Sequence, residues 1–93
     1  MTERVKYVML YEPAPDFMEK AMANLQAHRA RLDEFHARGE LLMAGPLSEP
    51  AGTALGVFTT KEAADEFVAG DPFVLNGVVA KVTISEWMEV LAE

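Results

Sequence analysis

Proton chemistry in this 93-residue chain has few places to reside: His28, His36 and the Asp71-Pro72 pair, with Ser48, Ser85, Tyr7 and Tyr11 as further polar candidates. An imidazole in an apolar groove is desolvated, which favours its neutral, proton-accepting form. A carboxylate bonded to its other nitrogen fixes the tautomer and stabilises the imidazolium once it forms. His28 has the first of these settings. Phe17, Ala21, Leu25, His28, Leu32 and Phe35 recur at steps of three and four, so His28 sits in the middle of one apolar helical stripe. Glu19, Lys20, Asn24, Arg31, Asp33 and Glu34 fall largely away from that stripe. Asp71 follows a second helical segment, and a carboxylate there can meet His28 if both helices share one face of a sheet.

Structural explanations compete with each of these assignments. A lone histidine on an apolar helix face is more often a packed, satisfied core residue. His36 stands near a helix C-terminus, where a cation suits the dipole. Asp is a good N-cap and Pro suits the first helical position, so Pro72 to Leu75 reads as one capped turn closed by Asn76-Gly77. Tyr7 and Tyr11 read most simply as strand and interface residues.

Other chemistries find no residues. Gly45, Gly52 and Gly56 do not form a nucleotide fingerprint, and no phosphate loop is present. Two histidines eight residues apart on one helix do not make a metal site, and Ser48 lacks the signature of an activated nucleophile. Cysteine is absent, which removes thiolate catalysis and disulfides. No metal and no cofactor are expected.

Composition bounds the rest. A chain of this length supports one hydrophobic core, hence a single domain over 1–93. With 51% apolar and 25% charged residues it has the profile of an ordinary soluble globular protein. A formal charge of −7, with the eight Lys and Arg forming no patch, argues against nucleic acid. No run approaches the roughly 18 apolar residues of a membrane span. The opening MTERVKYV lacks the pattern of a secretory signal, so a cytoplasmic location is expected.

The elements that must position His28 and Asp71 follow from periodicity. Arg4 to Tyr11 alternates as a strand, with Val5, Tyr7, Met9 and Tyr11 on one face and Val8 and Leu10 on the other. Asp16 with Glu19 predicts a capping box opening a helix that runs to about Arg38 and stops at Gly39. Glu40 to Pro46 and Thr53 to Thr59 are strands. Thr59 with Glu62 predicts the cap of a helix ending at Gly70, and Val78 to Trp87 alternates as the last strand. The order β-α-β-β-α-β with right-handed crossovers implies a ferredoxin-like α+β fold: a four-stranded antiparallel sheet with two helices on one face. Apolar residues on the other face call for a cover, most economically a second copy, giving a homodimer through the open sheet face.

The run GELLMAGPL (Gly39 to Leu47), the run KEAADEFVAGDPFVLNGV (Lys61 to Val78) and His28 together resemble the YciI-like (YCII-related) family, nearly end to end. The resemblance implies a dimeric α+β barrel and a dyad of helix His and D-P Asp, which match His28 and Asp71. It also implies activity on small ring-type molecules, such as elimination or isomerisation. Many relatives carry an Arg shortly before the helix His, where this chain has Asn24, Leu25, Gln26 and Ala27; that departure removes one anion-binding group.

The expected function is thus a cofactor-free lyase or isomerase acting on a small-molecule ligand. His28 would be general base and acid, Asp71 its orienter, with Gly45, Pro46 and Phe73 shaping the pocket. Two alternatives stand beside it: a non-catalytic dimeric ligand-binding or accessory module, and a cofactor-independent monooxygenase of the same fold. An open cavity at His28 favours the enzyme readings; a sealed core favours the module.

Overall fold

The computed structural model describes residues 4–91; positions 1–3 and 92–93 of the expected domain lie outside the described residues. Along the chain run β1 (Arg4–Pro13), α1 (Phe17–Ala37), β2 (Leu41–Pro46), β3 (Ala54–Phe58), α2 (Lys61–Gly70), the one-turn α3 (Pro72–Leu75) and β4 (Val79–Glu89). The sheet order is β2-β3-β1-β4 with every neighbour antiparallel, the ferredoxin-like α+β arrangement that the element order implies.

Alternation decides what each sheet face carries. Met9 lies opposite Gly56 and Ile84, and Tyr11 opposite Ala54 and Val82, so these residues share the helix-covered face. There Met9, Tyr11, Leu41 and Phe58 pack with Phe35 of α1 and Ala63, Ala64 and Phe67 of α2. Phe35 and Phe67 meet edge to face at 5.2 Å, and Phe58 lies 5.5 Å from Phe67. Each such fully buried ring contributes about 2–3 kcal/mol of transfer free energy. The opposite face carries Val8 and Leu10, Leu55 and Val57, and Trp87, all outside this core cluster.

Two helix starts differ from expectation. Asp16 does not cap α1: it adopts φ 61° and ψ 25°, and its side chain makes no capping bond. β1 runs on to Pro13, and the Ala14 N–H still bonds the Val78 carbonyl at 3.0 Å, so the chain must turn sharply into α1 at once. A left-handed residue makes that turn, and Asp tolerates the conformation better than most. At α2 the cap is Thr60, not Thr59: Thr60 Oγ1 accepts from Ala63 N–H at 3.0 Å. The Thr59 N–H is already committed to the Glu40 carbonyl at 2.9 Å, which keeps Thr59 in line with the strand. Gly39 closes α1 as expected, at φ 79° with its N–H on the His36 carbonyl.

One irregularity matters for the site. Leu41 pairs with Phe58 but Met43 pairs with Val57, leaving Leu42 as an extra residue in β2. Beyond it the edge strand stays open to solvent from Leu42 through Pro46. Among the described residues no helix is long and apolar enough to cross a membrane.

Candidate active site

Asp71 stands at the junction of two helices. It ends α2 after Gly70 and opens α3, with Pro72 in the first helical position and Asp71 Oδ1 accepting from Phe73 N–H at 3.2 Å. The capping role expected for it is therefore filled. The same oxygen lies 2.8 Å from His28 Nδ1, and Oδ2 accepts from the Tyr11 hydroxyl at 2.6 Å. Asp71 is 0% exposed, so this is a buried carboxyl facing three donors. Donors thus meet both oxygens, and a carboxylate is an acceptor only.

That arrangement assigns the His28 tautomer. A carboxylate can only accept, so Nδ1 carries the proton and Nε2 holds the free lone pair. Among the described residues Nε2 has no protein partner. The ring itself is fixed in plane: Phe73 stacks on it at 3.7 Å and 4°, and Phe67 meets it edge-on at 6.4 Å. His28 is thus oriented on three sides with one nitrogen left available.

Tyr11 was missed as a site residue. Sequence reasoning places it as a strand and interface residue, whereas it is 2% exposed on the helix side of the sheet and bonded to Asp71. Burial first, and the Asp71 bond second, push its hydroxyl well above the ordinary tyrosine range. It therefore remains a neutral donor to Asp71. The signal was present in β1: Tyr11 shares the face of Met9, and a buried tyrosine hydroxyl requires a partner.

A cavity of about 540 Å³ opens between α1 and the β2 side of the sheet. His28, Tyr11 and Phe73 line it, as do Leu25, Gly45 and Pro46. Of the residues expected at the site, His28, Gly45, Pro46 and Phe73 border this one space, whereas the fully buried Asp71 does not line it and meets it only through His28. At Gly45 a Cβ would meet nothing within 4 Å, so the wall there is open.

The remaining polar candidates have other partners. His36 Nδ1 lies 2.8 Å from the Leu41 carbonyl, tying the end of α1 to the start of β2 while bordering the same cavity. Arg29 reaches the cavity rim but is solvent-exposed and paired with Asp33 at 3.3 Å. Arg31 turns away, to the carbonyls of Phe67 and Glu66. Asn24, standing before the histidine, accepts from Asn76 Nδ2 at 2.7 Å. Ser48 and Ser85 do not border the cavity. Among the described residues no three His, Asp or Glu side chains converge as a metal set would require.

Comparison with known proteins bears on the family and the fold. A family model described as the YCII-related domain matches residues 5–88. Protein YciI of Escherichia coli is 32% identical over 95 residues, spanning 90% of this chain and 97% of that protein. An uncharacterized protein of Haemophilus influenzae is likewise 32% identical over 97 residues, with the same coverage of 90% and 97%. Among solved structures, 5-chloro-2-hydroxyhydroquinone dehydrochlorinase (TftG) from Burkholderia phenoliruptrix AC1100, in complex with 2,5-dihydroxybenzoquinone, superposes with a TM-score of 0.73. It is 21% identical, covering 88% of this chain and 92% of that one. PA3566 from Pseudomonas aeruginosa gives 0.61 at 13% identity, over 98% of each chain. At these identities the two structures speak for the shared fold.

Proposed function

The chain belongs to the YCII-related domain family, and on that premise we propose that it is a lyase or isomerase of small ring-type metabolites that works without a cofactor. The observation that carries the proposal is the 2.8 Å bond from His28 Nδ1 to a fully buried Asp71, beside an open cavity that His28 lines. His28 Nε2 takes a proton from a substrate carbon. The electron pair of the broken C–H bond then forms a double bond as a leaving group departs, or returns to the proton at another carbon. Asp71 stabilises the imidazolium in the interval, and the proton passes back to the leaving group or the product. A positioned base of this kind is worth about 10²–10⁴ in rate. The ring-type substrate class draws support from the quinone named in the TftG complex, a protein of the same fold.

Gly45, Pro46 and Phe73 act as the ligand-shaping wall. The cavity size is in the range that small-molecule sites occupy, roughly 300–1,000 Å³, which favours a ligand site over a sealed structural pair. A binding module would share the cavity but not the chemistry. Turnover of a panel of hydroxylated aromatics and lactones by the wild type and His28→Gln discriminates them. Conversion by the wild type with a loss of about 10²-fold or more in the variant supports the enzyme. Equal conversion by both proteins would remove His28 from the chemistry, and ligand binding without conversion would favour the module.

The open sheet face supports pairing of two copies, since Val8, Leu10, Leu55 and Val57 form an apolar surface outside the core cluster. Sedimentation of the wild type and Val57→Lys tests it: a dimer converted to monomer is expected, and a wild-type monomer at high concentration would contradict it.

A further inference from the structure

Asp71 reaches His28 only if α1 and the end of α2 keep a fixed spacing, and one residue ties those two elements together next to the dyad. Arg31 lies one turn beyond His28 on α1. Its Nε donates to the Phe67 carbonyl at 3.0 Å and its Nη2 to the Glu66 carbonyl at 2.6 Å. Carbonyls in the last turn of a helix lack intrahelical donors. Here the Asp71 N–H turns to the Val68 carbonyl at 3.4 Å, and the Phe67 carbonyl is taken by Arg31. The guanidinium also lies over the rings of Phe35 at 4.9 Å and Phe67 at 5.6 Å, and Phe67 is the ring that meets His28 edge-on. Gly70, immediately before Asp71, leaves the room this requires: a Cβ there would stand 2.6 Å from Arg31 Nη2 and 2.8 Å from its Cζ.

We propose that Arg31 is the positioning residue of the dyad: its bidentate grip on the last turn of α2, admitted by the missing side chain at Gly70, sets the distance and direction of Asp71 from His28. Lysine cannot replace it, because one ammonium on a flexible stem does not reproduce two fixed N–H directions. The inference rests on the dyad described above, and its test needs no substrate, so its failure leaves the proposed reaction to be judged by turnover alone.

The test uses ¹⁵N-labelled full-length chain and the imidazole resonances of its two histidines. His36 is an internal reference, since its Nδ1 is held by the Leu41 carbonyl and by nothing on α2. In the wild type His28 is expected as the Nδ1–H tautomer with a slowly exchanging Nδ1 proton. Arg31→Lys and Gly70→Ala attack the clamp from opposite sides; the alanine displaces only the end of a flexible side chain and suits a helix. Loss of the slow proton and a mixed His28 tautomer in both variants, with His36 and the sheet amides unchanged, are expected. Retention of the wild-type His28 signature in either folded variant overturns the proposal, as does a His36 signature that changes to the same extent. If Arg31→Lys does not fold, Gly70→Ala alone decides by the same criteria.

Discussion

From Leu32 onward α1 is pressed onto the sheet, and Phe35 in its last turns is fully buried among Phe67, Leu41 and Phe58. Toward its N-terminus the same apolar stripe looks across a gap to β2, and Leu25 is left 55% exposed. His28 lies at the boundary. The comparison shows how one helix both fixes a titratable ring and leaves room beside it. The packed side supplies Asp71 and Phe67, which hold the imidazole, and Tyr11, which bonds Asp71; the open half, with the bulged edge strand, supplies the cavity. A stripe complete enough to close on the sheet along its whole length would have sealed His28 into the core.

If that division holds, truncations in the packed half must cost far more than truncations in the open half. Phe67→Ala is expected to lower stability by about 3–5 kcal/mol in urea unfolding, through lost transfer energy and the cavity left behind. A loss under about 1 kcal/mol would show that the packed half is not packed. Asp71→Ala should cost about 2–4 kcal/mol, because it removes a helix cap and leaves the buried Tyr11 hydroxyl without an acceptor. An unchanged unfolding midpoint would deny the network its structural share.

Tyr11→Phe is expected to cost about 1–2 kcal/mol and to change the response to alkali. Burial and the Asp71 bond hold the Tyr11 hydroxyl above its ordinary range, so the folded chain keeps a proton that the unfolded chain releases. The stability that follows is complete below about pH 10 and declines as pH rises further. Unfolding midpoints measured across that range should fall more steeply for the wild type than for Tyr11→Phe; parallel curves would contradict the bond. Smallest is Leu25→Ala in the open half, at under about 1 kcal/mol, because that side chain is more than half solvated already. A cost near that of Phe67→Ala would erase the difference between the halves.

Much of this arrangement was legible in the residues. Alternation in β1 and β4, with Gly39 just beyond α1 and Gly70 at the end of α2, gives the element order and hence the sheet. Asp71-Pro72 is readable as a cap, and it is one. That the same carboxylate also meets His28 was permitted by both helices lying on one sheet face and implied by the family resemblance, while the contact itself is set by packing that spacing does not encode. The hydroxyl of Tyr11 on Asp71 lay out of view because it joins residues 60 apart in the chain, and alternation gives a strand residue its face but not its partner. Asp16 misled for a local reason: the capping-box pattern is there, but the turn out of β1 takes its backbone into the left-handed region. Arg31 was hidden because a guanidinium bonding backbone carbonyls across two helices leaves no pattern in spacing.

The central claim is that His28 Nε2 faces substrate as a base held by Asp71. A crystal structure soaked with small hydroxylated aromatics and lactones tests it most directly. The expected result is ligand density in the cavity with a polar atom within about 2.6–3.2 Å of Nε2, the Nδ1–Asp71 bond intact. Ligand bound only elsewhere, or a His28 ring turned away from Asp71 in the complex, would contradict it.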